Sequence, residues 1–348
     1  MNLGYNKTLV QYNTKGFRMK QLTKGLVLTL LVSTGLMAVE TKTVLKAPVV
    51  TTFKTDIATQ DVQIFTADNT DGKITPKTIE EAFVKEGFFI SEHRDMNAPF
   101  IATFKKTTFD TYNLFTVYRK DTVRKLISEY PEIGLFTPMS MSIYTKKGAK
   151  TISVAFLSAS ASARMMNIPE DNTEMIALGK SIAIALHAAM PKGSLQTVDY
   201  KMSKPAGDLI ARVSMDIDKS ADWEDVKDDF QMNFEGSLAP EKFILAGYTD
   251  IGYDLEENNI DTYNYYDTYS ICKLEVIYVV AQKHPEAGAF APCSVYMYQK
   301  KDENKMKMAF PAVHKWIAAM GIEDKASINV LMTAQKSFEG ILEKLTKK

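Results

Sequence analysis

The sequence predicts a mixed α and β protein made of two tandem copies of one domain. The evidence for duplication is a segment that occurs twice, PEIGLFTPMSMSIYTKK from Pro131 and PEAGAFAPCSVYMYQKK from Pro285. Aligned at this offset of 154, residues 131–156 and 285–310 share 11 identities in 26 positions, where chance predicts about one or two. Because solenoid repeats run about 20 to 50 residues, so long a period indicates whole domains.

The duplication divides the chain into repeat one, residues 56–200, and repeat two, residues 201–348. Their junction is the segment 191–208, which contains Pro and Gly. A second shared motif, DTYN, begins at Asp110 and again at Asp261, an offset of 151. This second offset predicts that repeat two has gained three residues between the motif and its first cysteine.

The first half of repeat one contains two predicted strands and a helix. VQIFTA, residues 62–67, is rich in strand-forming side chains. TPKTIEEAFVKEG predicts a helix with Thr75 as N-cap, Pro76 at the first helical position and Gly87 as its stop. FFISEHRD, residues 88–95, predicts the second strand.

The second half adds two helices and two strands. A short helix after FTVYRKD runs through Tyr130, where Pro131 and Gly134 end it. LFTPMSMSIYTKK and KTISVAFLS predict two strands joined by a turn at Gly148. TEMIALGKSIAIALHAAM predicts a closing amphipathic helix, which SINVLMTAQKSFEGILEKL matches at the end of repeat two.

Alternation along the first strand of this pair separates two faces in each repeat. We expect helices to cover the face that carries Met139 in repeat one and Cys293 in repeat two. We expect the opposite face to be more open. In repeat two that face is a candidate binding or docking surface formed by Ser294, Tyr296 and Tyr298.

The N-terminus has the pattern of an export signal. Lys20 and Lys24 precede the apolar stretch GLVLTLLV, and small residues follow. The apolar run 25–39 has 15 residues, fewer than the roughly 20 that span a bilayer as a helix. We therefore expect a signal peptide over residues 1–38, with Met19 as an alternative start, a linker over 39–55 and a periplasmic or secreted bacterial protein without a stable membrane span. The alternative is an uncleaved signal that anchors the protein in the membrane.

The charge balance argues against a nucleic-acid partner. The full chain has 42 basic and 42 acidic residues, and five of the basic residues lie before residue 39, where there are no acids. Removing them leaves 37 basic against 42 acidic residues, a net charge of −5. A protein of this sign, without basic runs interleaved with aromatics, has no surface suited to binding phosphates.

The repeated segment resembles the DUF302 family of uncharacterised bacterial domains. The resemblance rests on the PEIGLFTP or PEAGAFAP turn and strand, the Y-x-K-K strand end, the paired A-F strand and the closing helix, and it is strongest over residues 115–190 and 269–345. It implies an α+β fold of two tandem two-layer domains, each an antiparallel sheet with helices packed on one face, similar to the TATA-binding-protein-like arrangement. It implies no enzymatic activity, since none is established for the family.

Members of this family often carry one cysteine at a strand end and another directly after the strand proline. Cys272 and Cys293 stand at these positions in repeat two, whereas repeat one has Tyr118 and Met139. Three interpretations stay open: a structural disulfide, a redox-active or metal-binding thiol pair, and two buried cysteines that never meet. An oxidising compartment favours a disulfide where geometry permits, and the lack of a C-x-x-C motif weakens the redox interpretation.

Other chemistry has little support in the sequence. His284 and His314 are the metal-ligand candidates in repeat two, but they lack recognised zinc spacing. The acidic run 222–229 is best interpreted as a solvated helix face with Asp222 as N-cap. We therefore expect no catalytic residues, metal or cofactor.

The expected function is that of an exported, non-catalytic module whose two halves pack as an intramolecular pseudo-dimer and bind a small molecule or an envelope protein. One alternative is a thiol-dependent redox or metal-handling protein that uses Cys272 and Cys293. The other is a structural partner in an envelope complex.

Overall fold

The two repeats contain the same succession of helices and strands, except that repeat one ends in an additional short strand. The computed structural model describes residues 53–347, so the predicted signal peptide, the alternative start at Met19 and nearly all of the linker lie outside the described residues. The elements of repeat one are β1 Val62–Asp68, α1 Pro76–Lys85, β2 Phe89–Asp95, α2 Asn97–Phe104, β3 Phe109–Tyr118, α3 Lys120–Leu126, a 3-10 turn Pro131–Phe136, β4 Met139–Lys146, β5 Thr151–Leu157, α4 Ala159–Met165, α5 Thr173–Ala189 and β6 Ser194–Gln196.

Repeat two follows the same plan with a longer closing helix. Its elements are β7 Ile210–Asp216, α6 Trp223–Leu238, a 3-10 turn Ala239–Glu241, β8 Ile244–Asp250, α7 Ile251–Glu256, β9 Tyr263–Cys272, α8 Leu274–Ala281, a 3-10 turn Pro285–Ala289, β10 Cys293–Lys300, β11 Lys305–Pro311, α9 Val313–Ala319 and α10 Lys325–Thr346.

Each repeat forms its own antiparallel sheet. The strand order is β2-β3-β4-β5-β1-β6 in repeat one and β7-β11-β10-β9-β8 in repeat two. Read from its other end, the second order is β8-β9-β10-β11-β7, which matches β2-β3-β4-β5-β1 strand for strand. Repeat one differs only in β6, which adds a sixth strand at the outer edge of β1. The predicted α+β fold of two tandem copies is confirmed.

Capping side chains begin the helices that flank each sheet. Thr75 accepts a hydrogen bond from the backbone N–H of Thr78, while the Thr78 side chain accepts one from the backbone of Thr75. Asp222 caps α6 through the backbone N–H of Glu224. These caps satisfy N–H groups that have no partner inside the helix, and they confirm the predicted starts of both helices.

The helix-covered face of β4 and β10 is the one that alternation predicted. Met139 lines a small cavity together with Val123 of α3 and Leu178 of α5. Its equivalent Cys293 lies among side chains of α8, α9 and α10, including Trp316. The prediction that helices cover this face is therefore confirmed.

The register of the sheets corrects the second offset. Tyr112 of β3 pairs with Tyr144, and Tyr266 of β9 pairs with Tyr298, so β3 and β9 are also related by an offset of 154. The DTYN at Asp261 begins before β9 starts, so the predicted three-residue gain is wrong. A four-letter match carries less information than a strand that pairs along its whole length.

One predicted strand starts later than expected, and two helices of repeat one, α2 and α4, were not predicted. Residues 135–138 of the segment LFTP precede β4, because Pro131–Phe136 forms the 3-10 turn. The Ser- and Ala-rich stretch after β5 forms α4, which Ser158 caps through the backbone N–H of Ala161. Within residues 53–347 no helix is long and apolar enough to cross a bilayer.

Candidate functional site

The faces of the two sheets that lack helices pack against each other through reciprocal hydrogen bonds. Ser140 donates to the carbonyl of Pro292 at 2.6 Å, and its equivalent Ser294 donates to the carbonyl of Pro138 at 2.6 Å. This exchange is the pattern of an isologous interface, in which residue i contacts j and j contacts i.

Two tyrosines repeat the same exchange at the 3-10 turns. The Tyr112 hydroxyl donates to the carbonyl of Pro285 at 3.1 Å, and the equivalent Tyr266 hydroxyl donates to the carbonyl of Pro131 at 2.5 Å. The turn of each repeat therefore lies on the sheet of the other repeat.

Glycine in each turn allows this close approach. A Cβ atom on Gly134 would lie 2.3 Å from the Tyr266 hydroxyl and 2.6 Å from the Tyr296 Cβ. A Cβ on Gly288 would lie 2.3 Å from the Cβ of Ser142. Real Cβ contacts are never so short, so the PEIG and PEAG sequences each supply the space into which the opposite sheet packs.

The predicted binding face of repeat two is consequently covered. Ser294, Tyr296 and Tyr298 are only 4%, 3% and 4% exposed. The expectation of an open face was wrong, because repeat one occupies it.

A groove remains where the turn of repeat one leaves the sheet of repeat two. We call it the inter-repeat groove. Its volume is about 650 Å³, and both repeats contribute walls. Its walls include Tyr130, Glu132 and Asn167 from repeat one and Arg212, Ser214, Tyr296, Tyr298, Lys305 and Lys307 from repeat two.

The walls of the inter-repeat groove differ in charge. Arg212 and two lysines make the β7–β11 wall basic, while Glu132 faces them from the turn of repeat one. An Arg212 nitrogen lies 2.5 Å from Glu132 Oε1, and the Lys307 Nζ lies 5.9 Å from the centre of the Tyr298 ring. Burial raises the pKa of Tyr298 to about 12, so its hydroxyl is a neutral hydrogen-bonding group at neutral pH.

The two cysteines line one small apolar cavity in repeat two. Its volume is about 60 Å³. The equivalent cavity in repeat one measures about 20 Å³, and there Tyr118 and Met139 stand where repeat two has Cys272 and Cys293. The larger side chains of repeat one therefore occupy space that stays open in repeat two.

Both thiols are free, so the structure does not support the disulfide interpretation. Burial raises the pKa of Cys272 to about 12, and burial with the neighbouring Cys272 raises the pKa of Cys293 to about 12. Because the thiolate is the nucleophile, both cysteines are weakly reactive at neutral pH. The Cys293 sulfur donates a hydrogen bond to the carbonyl of Phe290 at 3.4 Å.

The histidines do not gather ligands for a metal. His284 Nδ1 lies 3.4 Å from Glu286 Oε1, and its Nε2 lies 4.0 Å from Asp324 Oδ2. His314 lies beside Gly207. No group of three or more His, Cys, Asp or Glu residues suited to a metal ion occurs within residues 53–347.

A buried polar cluster under the helices of repeat two was not predicted. Lys227 Nζ lies 2.9 Å from Asp267 Oδ2, and the Tyr248 hydroxyl donates to Asp267 Oδ1 at 3.1 Å. Burial raises the Asp267 pKa to about 6, against the opposing charge of Lys227. A charged residue on the helix-facing side of β9 was the available signal in the sequence.

The positions of this cluster are also polar in repeat one. There His93 Nδ1 is hydrogen-bonded to Glu80, and Asn113 lies 3.1 Å from His93 Nε2. The two clusters use different side chains at corresponding places on the helix, the second strand and the third strand. The groove pair formed by Arg212 and Glu132 was also missed, since its members are 80 residues apart.

No curated protein matches the chain. A similar solved structure is that of an uncharacterized conserved protein DUF302 from Bacillus stearothermophilus, with 17% sequence identity, 40% of this chain and 99% of that chain covered, and a TM-score of 0.33. The family model described as Domain of unknown function DUF302 matches residues 65–189 and again residues 221–345. Since these two matches include most of both repeats, the chain belongs to the DUF302 family and carries two copies of its domain.

Proposed function

We propose that this chain is an exported, non-catalytic binding protein whose ligand occupies the inter-repeat groove. The observation that carries the proposal is a groove of about 650 Å³ with walls from both repeats. Ligand sites typically measure about 300 to 1,000 Å³ and combine an apolar lining with a few placed polar groups.

The groove offers both kinds of contact. Its apolar lining includes Pro131, Met166, Val213 and Met308, together with the largely buried Tyr296 and Tyr298. Burial is the main cause that raises the pKa of Tyr296, with Glu132 adding to it and Arg212 opposing it. The tyrosine hydroxyl is thus a neutral hydrogen-bonding group next to an ion pair, an arrangement that orients a polar ligand.

A ligand screen by thermal shift tests the groove. Ser214 is exposed on β7 and lines the groove, so Ser214→Trp should fill it and abolish the Tm increase caused by a true ligand. Ser220→Trp is the matched control, because Ser220 is exposed in the loop after β7 and should leave that increase unchanged. Ligands whose Tm increase survives Ser214→Trp would place the site elsewhere.

The export part of the proposal rests on the N-terminal sequence pattern. Mass spectrometry of the purified protein should find a mature N-terminus near residue 36 or 39, where the small residues of the signal end. An intact Met1 or Met19 in membrane fractions would refute cleavage and favour the anchored alternative.

A thiol-dependent role is the second candidate, favoured by the cavity that both cysteines share. The raised pKa of each thiol works against it. Protein purified without reductant should show two free thiols that react slowly when folded and rapidly in urea. Fast reaction of either thiol in the folded state, together with loss of the cellular phenotype in the Cys272→Ser and Cys293→Ser double variant, would favour this candidate over the groove.

A further inference from the structure

The place equivalent to the inter-repeat groove on the other side of the interface is filled by the chain itself. Through the offset of 154, Glu132, Tyr298 and Asn167 of the groove correspond to Glu286, Tyr144 and Gly321. The segment 193–201, which connects the repeats, lies against this second set of residues.

The connecting segment first adds a strand to the sheet of repeat one. β6 pairs antiparallel with β1, with Gln196 opposite Ile64 and Ser194 opposite Thr66. The Gln60 side chain binds the C-terminal end of β6. The Gln60 amide nitrogen donates to the Gln196 carbonyl at 3.1 Å, and the Gln60 amide oxygen accepts from the Val198 N–H at 3.2 Å.

The same segment then places an aromatic side chain beside the turn of repeat two. The Tyr200 ring centre is 6.3 Å from that of His284. Burial raises the pKa of Tyr200, and the nearby Glu286 and Tyr144 side chains raise it further. A Cβ on Gly321 would lie 3.4 Å from the Tyr200 Cβ and 2.5 Å from the Lys201 carbonyl oxygen. The segment therefore fills this place closely.

Within residues 53–347, no such segment pairs with the corresponding strand edge of repeat two. Arg212 pairs with Ala309 as Ile64 pairs with Ala155, so β7 is the equivalent of β1. Among the described residues no strand pairs with the outer edge of β7. A cavity of about 460 Å³ between β7 and α10 lies on one side of this edge, and the inter-repeat groove lies on the other.

We propose that the outer edge of β7 and the inter-repeat groove together bind an extended peptide segment of a partner protein. The segment pairs antiparallel with β7, as β6 does with β1, and places an aromatic side chain between Glu132 and Tyr298. Exposed strand edges bind peptides in this way because the unpaired backbone groups supply the hydrogen bonds while neighbouring pockets select side chains. This inference rests on the proposed function and names the class of its ligand.

Charge specifies the peptide further. Positions that are neutral in repeat one, Ile64, Thr151 and Ser153, are basic in repeat two. Their equivalents are Arg212, Lys305 and Lys307, which form one wall of the groove. Lys305 is already paired with Asp216 and Lys307 with Glu303. The half-exposed Arg212 meets Glu132 through two of its three guanidinium nitrogens, so the partner segment carries an acidic side chain opposite Arg212.

A fused strand tests the site in the full chain. A flexible Gly-Ser linker after residue 348 is followed by a copy of residues 190–201 with Gln196→Glu, which places a carboxylate opposite Arg212. The linker gives the strand an effective concentration of roughly millimolar, so weak pairing is measurable. Hydrogen exchange of peptides from residues 210–216 should slow by about tenfold or more relative to a fusion with a scrambled copy.

Charge reversal supplies a second arm that does not depend on a bulky substitution. Arg212→Glu should remove the slowing by the Gln196→Glu copy, and a Gln196→Lys copy should restore it in that variant. Equal exchange of residues 210–216 with the matched and scrambled fusions, in a protein whose other amides are unchanged, would overturn the peptide proposal.

The thermal-shift screen and the hydrogen-exchange experiment distinguish a groove that binds small molecules from a strand edge that binds a peptide. Small-molecule hits that Ser214→Trp abolishes, found together with no slowing at β7, would keep the groove as the site and reject the peptide. If the scrambled copy also slowed hydrogen exchange of residues 210–216, any tethered chain would protect this edge. That result would reject the peptide proposal as well.

Discussion

Asp267 is a fully buried carboxyl whose main charged neighbour is Lys227. Burial raises its folded-state pKa from 3.8 to about 6. The folded protein therefore binds this proton more tightly than the unfolded chain. The stability that the group contributes is fully present below about pH 4 and is lost as the pH rises to about 6.

Asp267→Asn should remove this pH dependence. Relative to the wild type, the free energy of unfolding of the variant should rise by roughly 3 kcal/mol between pH 4 and pH 7, since each pKa unit corresponds to about 1.4 kcal/mol. Urea unfolding at several pH values measures the difference.

Asp324→Asn is the control with the opposite sign. Asp324 caps α10, and hydrogen bonds to Ser327 and the charge of Lys283 hold its pKa below the usual value despite partial burial. The wild type should therefore gain stability over this variant as the pH rises past 4. A difference between Asp267→Asn and wild type that does not vary with pH would contradict the assignment.

The cavity lined by Cys272 and Cys293 predicts how stability changes when residues are exchanged between the repeats. Cys293→Met installs the residue of repeat one in an apolar cavity of about 60 Å³ and should raise the free energy of unfolding by about 1 kcal/mol. The reciprocal change Met139→Cys should lower it by about 1 to 3 kcal/mol, because it opens a cavity at a filled site. Destabilisation by both changes would mean that the repeat-two cavity cannot accept a larger side chain.

At the scale of elements, the 3-10 turns join the repeats because they contain glycine where the chains are closest. Gly134→Ala would place a methyl group 2.3 Å from the Tyr266 hydroxyl. We expect a loss of about 2 kcal/mol or more in the free energy of unfolding.

Gly236→Ala is the matched control for this change. Gly236 lies in α6, and nothing is within 4 Å of a Cβ placed there. Alanine should therefore stabilise the helix by roughly 0.5 to 1 kcal/mol. If Gly134→Ala were as harmless as Gly236→Ala in urea unfolding, the turns would not be tightly packed on the opposite sheet.

At the scale of the molecule, the repeats are held together by more than the connecting segment. Besides the reciprocal bonds, Arg124 of α3 donates to both carboxylate oxygens of Asp254 in α7 at 2.8 Å. Lys315 of α9 is hydrogen-bonded to Asp61 just before β1. Each of these pairs joins one repeat to the other.

Cleavage of the connection should therefore leave a folded complex. Lys204 and Pro205 are exposed, so a protease site inserted between them is accessible in the folded protein. After cleavage, the two fragments should elute together in size-exclusion chromatography, and they should separate more readily in Gly134→Ala. Separate elution of the unmutated fragments would show that the covalent connection holds the repeats together.

The local patterns of the sequence were sufficient for most of the elements. Thr75 followed by Pro76 specified the start of α1, and alternation from Met139 assigned the helix-covered face of β4, because capping and strand alternation depend on residues close together in the chain. The α4 helix was missed because serine-rich segments favour caps and turns as often as helices.

Sequence patterns alone were enough to identify a duplicated DUF302 domain and the side of each sheet that its own helices cover. What covers the other side became clear from the folded chain. The contacts of Ser294 with Pro138 and of Arg212 with Glu132 join residues 156 and 80 positions apart, and no local pattern encodes such pairs. For the same reason, the repeated PEIG and PEAG turns indicated homology in the sequence, whereas their role in joining the two sheets became visible only in the fold.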